Sequence, residues 1–502
     1  MIFYGSSLST NFEIEEIVNI EINVSDKGLP VFEIYGLINK SIEESKKRII
    51  SSFESCGLNF PLKNITVNLS PADIVKEGTH FDLGIAATLL RYTNLLNFDE
   101  KTSIFFGELS LDGSIKSLKN ILYLVLTAKY LGYKQIFIPS LNLTDVSHVS
   151  GVSITGLNNL KDLLSIENIE IPKKENVPIK LETLPLNFNK ILGNSYNKKV
   201  LSYALSGSHH LLLSGFPGSG KSLLSKSAVE LLPDLELDKA YEVAKIFSYL
   251  GLKRESLDFY RPPFRAPHSS SSYASIFGGV GKSITPGEIS IAHNGILLLD
   301  EFPEFNKQVI EGLRAPLEDK YITLSRSKFK KVLKSDFILI ATMNPCKCGY
   351  FNHYKVVCKC TPTEVNRYHN KISGPILDRL DIQIQFDGKI NRGLVNEQEN
   401  YSYEEFYKLK KNIFETKTQL EVSLADKTIN KESVYLDKDF VHRNTTANSM
   451  NILFSLQEKY SMSNRRYFKV LKLSNTISIF NKESKISEES ILEAIALTGS
   501  KM

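Results

Sequence analysis

Three uninterrupted apolar runs in the middle of the chain predict the strands of a buried parallel sheet. They are Leu211–Leu213, Ile296–Leu299 and Phe337–Ala341, and polar residues follow each of them. Strands covered by helices on both faces have this composition, because neither face meets water. Open α/β sheets bind ligands at the carboxyl ends of their strands, so we expect the polar residues after each run to form a site.

The first 170 residues have the alternating and helical patterns of a separate α+β domain. Half-buried strands alternate apolar and polar residues, whereas amphipathic helices repeat their apolar residues every three to four positions. On these criteria we predict strands at 32–35, 65–69 and 136–139, and helices at 41–53, 81–90 and 121–131.

The remaining chain divides by composition, and its 502 residues are too many for one hydrophobic core. Residues 171–188 have the proline and charge content of a linker. The apolar strands fall in a predicted α/β core at 189–390. Residues 391–502 have helical periodicity and almost no strand pattern, which predicts a helical C-terminal domain. Its last helix should begin after Ser487, a good N-cap.

The first apolar strand leads into a complete phosphate-binding loop, or P-loop. Glycines let the backbone N–H groups curl around a β-phosphate at the positive end of the following helix. Lys221 would reach the β- and γ-phosphates, and the Ser222 hydroxyl would hold Mg²⁺. We therefore predict that the chain binds a nucleoside triphosphate with Mg²⁺. The loop consists of Gly215, Phe216, Pro217, Gly218, Ser219, Gly220, Lys221 and Ser222.

The second and third apolar strands end in the polar residues that hydrolysis needs. Asp300 follows the second strand and would hold Mg²⁺ through water. Glu301 is placed to act as the general base on the attacking water. Asn344 follows the third strand and would orient that water, although an asparagine at a strand end is more often a turn former.

Four of the five cysteines lie within fifteen residues, in the pattern Cys346-x-Cys348 and Cys358-x-Cys360. Two close pairs joined by a short loop match a tetrahedral Zn²⁺ site, so we predict structural zinc, with redox chemistry as the alternative. The fifth, Cys56, is predicted to be a core residue.

Composition and charge narrow the class of protein. We see no signal peptide and no apolar run long enough to span a membrane, and five cysteines do not form a disulfide framework. A cytoplasmic protein is therefore expected. The net charge is only +5, but residues 321–371 contain ten Lys and Arg and two acids, a net charge of +8. Such a segment indicates a polyanionic partner, unless it is a solvated face.

In this order the motifs resemble those of the magnesium-chelatase-like AAA+ family, closest to its ComM/YifB branch. The resemblance covers nearly the whole chain and includes the cysteine pairs. It also includes Ser373–Asp381, and its most specific stretches are Arg265–His268, Pro286–Ser290, Ala292–Gly295 and Asn344–Gly349.

The resemblance implies a hexameric ring ATPase with nucleotide at the subunit interfaces. Arg379, in the Leu-Asp-Arg motif, would be the arginine finger on the neighbour's γ-phosphate. From the residues alone, Arg379 is equally a structural partner for Asp378 or Asp381. Arg465 in Ser-Asn-Arg of the helical domain matches a second phosphate-binding arginine, with Arg466 the less favoured choice.

The resemblance also places a hairpin before the third strand in the central pore of the ring. Arg326, Lys328 and Lys330 would then contact translocating DNA. The implied activity is a DNA helicase that drives branch migration of incoming DNA during natural transformation. Two other functions stay open: a chelatase-type ATPase that remodels a protein or porphyrin-enzyme partner, and a peptidase-linked unfoldase.

The N-terminal domain resembles the Lon-protease fold, a ribosomal S5 domain 2-like fold. Gly107–Leu109 and Gly113–Lys116 match the stretch that carries the catalytic lysine of Lon. The serine motif is replaced by Thr79–Leu83, so Lys116 has no serine to activate. We expect a non-proteolytic binding or assembly module.

Overall fold

The structure is a computed structural model, and its fold is mixed α/β. Its described residues form two units. The first unit comprises Met1–Ile179, Leu237–Tyr260 and Val280–Thr285, and the second comprises the rest of the chain. The described residues are 2–9, 16–72, 76, 78–168, 188, 191, 195–252, 259–281, 284–326, 329–386, 403–425, 444–459 and 462–499. The predicted linker at 171–188 lies almost wholly outside them.

The described residues of the first unit form two sheets of more than two strands. The larger one has the strand order Ile2–Leu8, Ile17–Ser25, Asn64–Ser70 and Val31–Tyr35, and its last two strands are parallel. The smaller one is parallel, with the order Ser103–Phe105, Gln135–Pro139 and Ser153–Leu157. A short hairpin pairs Glu108–Leu109 with Ile115–Lys116.

The helix Phe81–Tyr92 is the centre of this unit. Every residue from Phe81 to Leu90 is buried, and the helix packs on strands of both sheets. Because the helix is covered on all sides, it needs no polar face, and most of its residues are apolar. The other helices of the unit are Lys40–Glu43, Ser45–Ser55, Ile121–Tyr130 and Leu237–Tyr249.

The helix Leu237–Tyr249 follows the P-loop region in sequence yet packs in the first unit. The backbone N–H of Tyr123 donates to the Ser248 hydroxyl at 3.0 Å. The Lys129 ammonium lies 4.9 Å from the centre of the Tyr241 ring. The first unit is therefore assembled from three separate stretches of chain.

The second unit is built on a five-stranded parallel sheet. The strand order is Phe264–Arg265, Ile296–Leu299, Ile338–Met343, Leu211–Gly215 and Ile382–Phe386. The three predicted apolar runs are its central strands, and all their residues are buried. The carboxyl ends of these strands meet at one edge of the sheet, which brings together the residues that follow them.

Helices cover this sheet, and the C-terminal helices share its hydrophobic core. Leu471, Ile477 and Ile491 belong to the same buried cluster as Leu211 and Ile340. None of the described helices has the length and apolar character needed to cross a membrane. The helices of the unit are Ser195–Ser206, Lys221–Leu231, Tyr273–Phe277, Glu288–Ile291, Lys307–Gly312, Arg314–Asp319, Pro362–His369, Gly374–Leu377, Tyr403–Ala425, Ala447–Lys459, Asn464–Phe480 and Glu488–Leu497.

Candidate active site

The P-loop connects the strand Leu211–Gly215 to the helix Lys221–Leu231. Gly218 and Gly220 have φ angles of +76° and +92°, a left-handed conformation that residues with a Cβ seldom adopt. The helix starts immediately after Gly220, and the N–H groups of its first turn have no partners within the helix. This arrangement fits a bound phosphate without rebuilding the loop.

Lys221 is held inside the loop by carbonyl oxygens. Its ammonium donates to the carbonyls of Gly215 and Phe216 at 2.6 and 2.8 Å. Burial lowers the pKa of Lys221, and the Asp300 carboxylate opposes that shift. The ammonium is therefore positioned beside the cradle, where phosphate oxygens would replace the carbonyls as its partners.

The magnesium-binding residues predicted from sequence come together. The Ser222 hydroxyl donates to the two Asp300 carboxylate oxygens at 3.0 and 3.3 Å. A third residue, Thr342, donates its hydroxyl to Asp300 in a short hydrogen bond. Hydroxyl and carboxylate oxygens are the ligands that Mg²⁺ prefers, so the cluster fits this ion.

Thr342 is a site residue that the sequence analysis missed, and its signal in the sequence is weak. It is a polar residue within the otherwise apolar strand Ile338–Met343, and the strand carrying Asp300 lies next to it. Thr342 also accepts a hydrogen bond from the backbone N–H of Glu301 at 3.1 Å. One hydroxyl thus positions both acidic residues.

Glu301 occupies a strained backbone conformation. Its φ and ψ angles are +54° and +47°, which a residue with a long side chain seldom adopts. Strain of this kind persists where surrounding contacts enforce it, often at functional sites. The conformation turns the chain away from the strand and leaves the Glu301 side chain exposed.

Asn344 lies one residue beyond the strand Ile338–Met343, whose last residue pairs with Ser214 of the P-loop strand. Its backbone N–H faces the Tyr368 hydroxyl at 3.4 Å. The strand register therefore places Asn344 at the same edge of the sheet as the P-loop.

Arg379 and Arg465 share one carboxylate. Arg379 forms a short ion pair with Glu318 and donates to the carbonyls of Arg314 and Pro375. Arg465 reaches the other oxygen of Glu318 at 3.3 Å. Within the described part of the chain, these polar partners of Arg379 all lie outside the P-loop.

Two of the alternative residues considered for these arginines have contacts elsewhere. Asp381 is not the partner of Arg379, because it lies 3.4 Å from the ring of His209 and accepts a hydrogen bond from the backbone N–H of His210. Arg466 donates to the carbonyl of Gly499 at 2.7 Å, which occupies it within its own chain.

The four cysteines Cys346, Cys348, Cys358 and Cys360 converge, with their sulfur atoms all within 4.8 Å of one another. Three of the Sγ–Sγ distances are 3.3, 3.5 and 3.7 Å. Tetrahedral zinc with Zn–S bonds of about 2.3 Å requires separations of about 3.8 Å, so the cluster fits this metal. The backbone N–H of Tyr350 is the main factor that lowers the pKa of Cys348 to about 6, whereas burial and hydrogen bonds to the Cys348 and Cys346 thiols raise the pKa of Cys358 to about 12.

The predicted hairpin is present. Strands Tyr321–Arg326 and Phe329–Lys334 are antiparallel, and Arg326 pairs with Phe329 across the turn. Arg326 and Lys330 are therefore at or near the tip, although the structure describes only their backbone. Lys328 lies outside the described residues.

In the first unit, Lys116 is 3.9 Å from the Glu108 carboxylate. Thr79 donates its hydroxyl to the same Glu108 in a short hydrogen bond. The His80 ring is buried and lies 2.8 Å from the carbonyl of Leu8, and burial lowers the pKa of His80 to about 4. The lysine thus faces a carboxylate.

Three of the most specific stretches of the family resemblance form polar contacts within the second unit. Arg265 forms a two-point ion pair with Glu288, at 2.5 and 2.9 Å. The His293 ring accepts a hydrogen bond from the backbone N–H of Asp336 at 3.1 Å. These contacts fix the segments on either side of the strand Ile296–Leu299, which ends at Asp300.

Comparisons with known proteins agree with this geometry. Residues 187–392 match the family described as magnesium chelatase, subunit ChlI, and residues 20–142 match the family described as subunit ChlI of Mg-chelatase. The chain is 32% identical over 498 residues to the competence protein ComM of Haemophilus influenzae, covering 95% of this chain and 94% of that protein.

A second relative is the uncharacterized protein YifB of Escherichia coli. It is 34% identical over 375 residues, which cover 73% of this chain and 72% of YifB. The P-loop, the acidic residues after the strand Ile296–Leu299 and the parallel sheet agree with these matches. The chain belongs to the magnesium-chelatase-like family of AAA+ P-loop proteins that includes ComM and YifB.

Proposed function

We propose that this chain is the subunit of a hexameric, cytoplasmic ATPase that moves DNA and drives branch migration. The observation that carries the ATPase part is the cluster of Ser222, Asp300 and Thr342 beside a preformed P-loop. The family of the chain implies the same activity. The family resemblance implies the ring, in which Arg379, whose contacts lie outside its own P-loop, would complete the site of a neighbouring subunit.

In this proposal each residue has a distinct task. Backbone N–H groups of the P-loop and the Lys221 ammonium hold the phosphates of ATP. Ser222 and Asp300 would hold Mg²⁺, which offsets phosphate charge. Asn344 orients the attacking water and Glu301 accepts its proton. Arg379 and Arg465 of the adjacent subunit neutralise the charge that develops on the transferred phosphoryl group.

Two features support DNA as the polymer that is moved. The segment 321–371, which includes the hairpin and the loop that carries the four cysteines, has a net charge of +8. A relative that matches nearly the whole chain is named a competence protein, which favours a role with incoming DNA in natural transformation. The matches to chelatase subunits make a remodelling ATPase that acts on a protein or porphyrin-enzyme partner the second candidate.

We propose that the Lon-like domain binds or assembles without cutting peptides. Lys116 pairs with the Glu108 carboxylate at 3.9 Å, whereas the lysine of a Ser–Lys dyad contacts the hydroxyl that it activates. The Thr79 hydroxyl donates to the same Glu108 carboxylate, so its partner is an acid and not a lysine amine that could activate it.

Replacing Arg326 and Lys328 by Ala tests the DNA motor. We expect DNA affinity to fall, its dependence on salt to flatten and strand displacement to be lost, because each phosphate contact releases condensed counterions. Hydrolysis without DNA should persist, since the hairpin is separate from the nucleotide residues. The measurements are DNA binding across a salt series, and ATPase rates with and without single-stranded and forked DNA.

The matched control is Lys408→Ala with Lys411→Ala, which removes two exposed charges from the helix Tyr403–Ala425. It should leave DNA binding unchanged. Equal DNA binding by the hairpin variant and the wild type would reject the pore contact and favour the chelatase-type function. Loss of basal hydrolysis together with DNA binding would show that the hairpin serves the nucleotide site.

Purified protein should contain about one zinc per chain, bound by the four thiolates. Replacing Cys346 and Cys348 by Ser should release the metal and weaken DNA-dependent activity, because the cluster adjoins Asn344. Elemental analysis of protein kept reduced throughout measures the zinc. Cys56→Ser is the control and should keep the metal, since Cys56 is a buried residue of the first unit. Protein without zinc would contradict the assignment.

A further inference from the structure

The loop that carries the cysteine cluster contacts the P-loop directly. We call residues 346–360 the cysteine loop. The rings of His353 and Phe216 meet edge to face, with their centres 4.5 Å apart. At Gly349, which has a φ angle of +87°, an added Cβ would lie 2.5 Å from the Pro217 side chain. The two loops are therefore in contact at two points, and Gly349 leaves no space for a side chain.

One of the P-loop residues that the cysteine loop contacts, Phe216, also binds the lysine of the nucleotide site. Phe216 and Pro217 follow Gly215 at positions where the phosphate-binding motif accepts any residue. The carbonyl of Phe216 accepts a hydrogen bond from the Lys221 ammonium at 2.8 Å. A shift of Phe216 would therefore move a group that positions Lys221.

The His353 ring is fixed in orientation. Its Nδ1 accepts hydrogen bonds from the backbone N–H groups of Lys355 and Val356, at 3.0 and 2.9 Å. An Nδ1 that accepts is unprotonated, so the neutral ring carries its proton on Nε2. The ring that contacts Phe216 is thus held by its own loop.

The cysteine loop has neither regular secondary structure nor an apolar core to define its shape. Residues 344–361 are all described and contain neither a helix nor a strand. Val357 is 86% exposed and Tyr354 is 56% exposed, so the loop has few apolar side chains to bury. Segments that lack a core depend on cross-links such as a thiolate-bound metal for their structure.

We propose that the metal-closed cysteine loop braces the P-loop, so that metal occupancy sets the affinity of the chain for nucleotide. His353 and Gly349 are the positioning residues, and the metal is a thiolate-bound divalent ion such as Zn²⁺. The inference depends on the metal assignment in the proposed function and is independent of DNA.

The test is equilibrium binding of a fluorescent ATP analogue by the full chain without DNA, together with the metal content. Removing the metal with a chelator under reducing conditions should weaken binding about tenfold, and added Zn²⁺ should restore it. His353→Ala should keep the metal and weaken binding about fivefold, the size expected for one lost aromatic contact. Val357→Ala, in the same loop but exposed, should change neither quantity.

Three results would overturn the inference: unchanged affinity in metal-free protein, unchanged affinity in metal-loaded His353→Ala, or a chain that takes up no zinc. Circular dichroism on each variant shows whether a loss of binding comes from unfolding, and the recovery with Zn²⁺ decides the question without any substitution. A chain with zinc-dependent nucleotide binding but no response to DNA would support this inference while rejecting the DNA motor.

Discussion

Glu301→Gln is expected to bind ATP with wild-type affinity and to hydrolyse it at least about a hundredfold more slowly. The substitution removes the base and keeps the size of the side chain, and Ser222 and Asp300 still hold Mg²⁺. Lys221→Ala should instead lose binding, because the ammonium is the charged group inside the phosphate cradle. Fluorescent-nucleotide binding and steady-state phosphate release separate the two effects.

Glu304→Gln is the matched control for this substitution. It makes the same chemical change three residues away, on a side chain that is partly exposed and paired with Lys371. Its hydrolysis rate should equal that of the wild type. Normal turnover by Glu301→Gln would show that another group accepts the proton of the attacking water.

The sequence predicted the parts of the site that depend on local pattern. The strand Leu211–Gly215 and the helix Lys221–Leu231 flank the P-loop as expected, since an apolar run, glycines and a helical repeat are all local signals. The sequence also places Ser222 and Asp300 near one Mg²⁺, because parallel strands bring their carboxyl ends to one edge, and the structure adds the hydrogen bond between them.

The parts that sequence missed depend on contacts between distant residues. Thr342 gains its role from the strand beside it, and Glu318 from two arginines that follow it by about sixty and about 150 positions. The helix Leu237–Tyr249 has an ordinary amphipathic pattern, which does not reveal that it packs against Ile121–Tyr130 in the first unit. The periodicity of apolar residues shows which face of a helix is buried, but it does not show which element packs against that face.

Arg379→Ala should assemble normally and hydrolyse ATP about a thousandfold more slowly, the effect of removing an arginine finger. We expect Arg379 to act on a neighbouring nucleotide because its partners in its own chain are Glu318 and the carbonyls of Arg314 and Pro375. These contacts hold the guanidinium outside the P-loop of its own chain, where a neighbouring nucleotide would replace Glu318. Size-exclusion chromatography measures assembly, and phosphate release measures hydrolysis.

Mixing two inactive variants tests whether the finger acts on the neighbouring subunit. A subunit with Arg379→Ala still has Glu301, and an adjacent subunit with Glu301→Gln still supplies Arg379, so each such interface contains one intact site. The mixture should therefore recover activity that neither variant shows alone. Glu318→Gln is the control for a structural role, because it weakens the ion pair and keeps both arginines. If Glu318→Gln lost as much activity as Arg379→Ala and mixing restored none, Arg379 would be a structural residue of its own subunit.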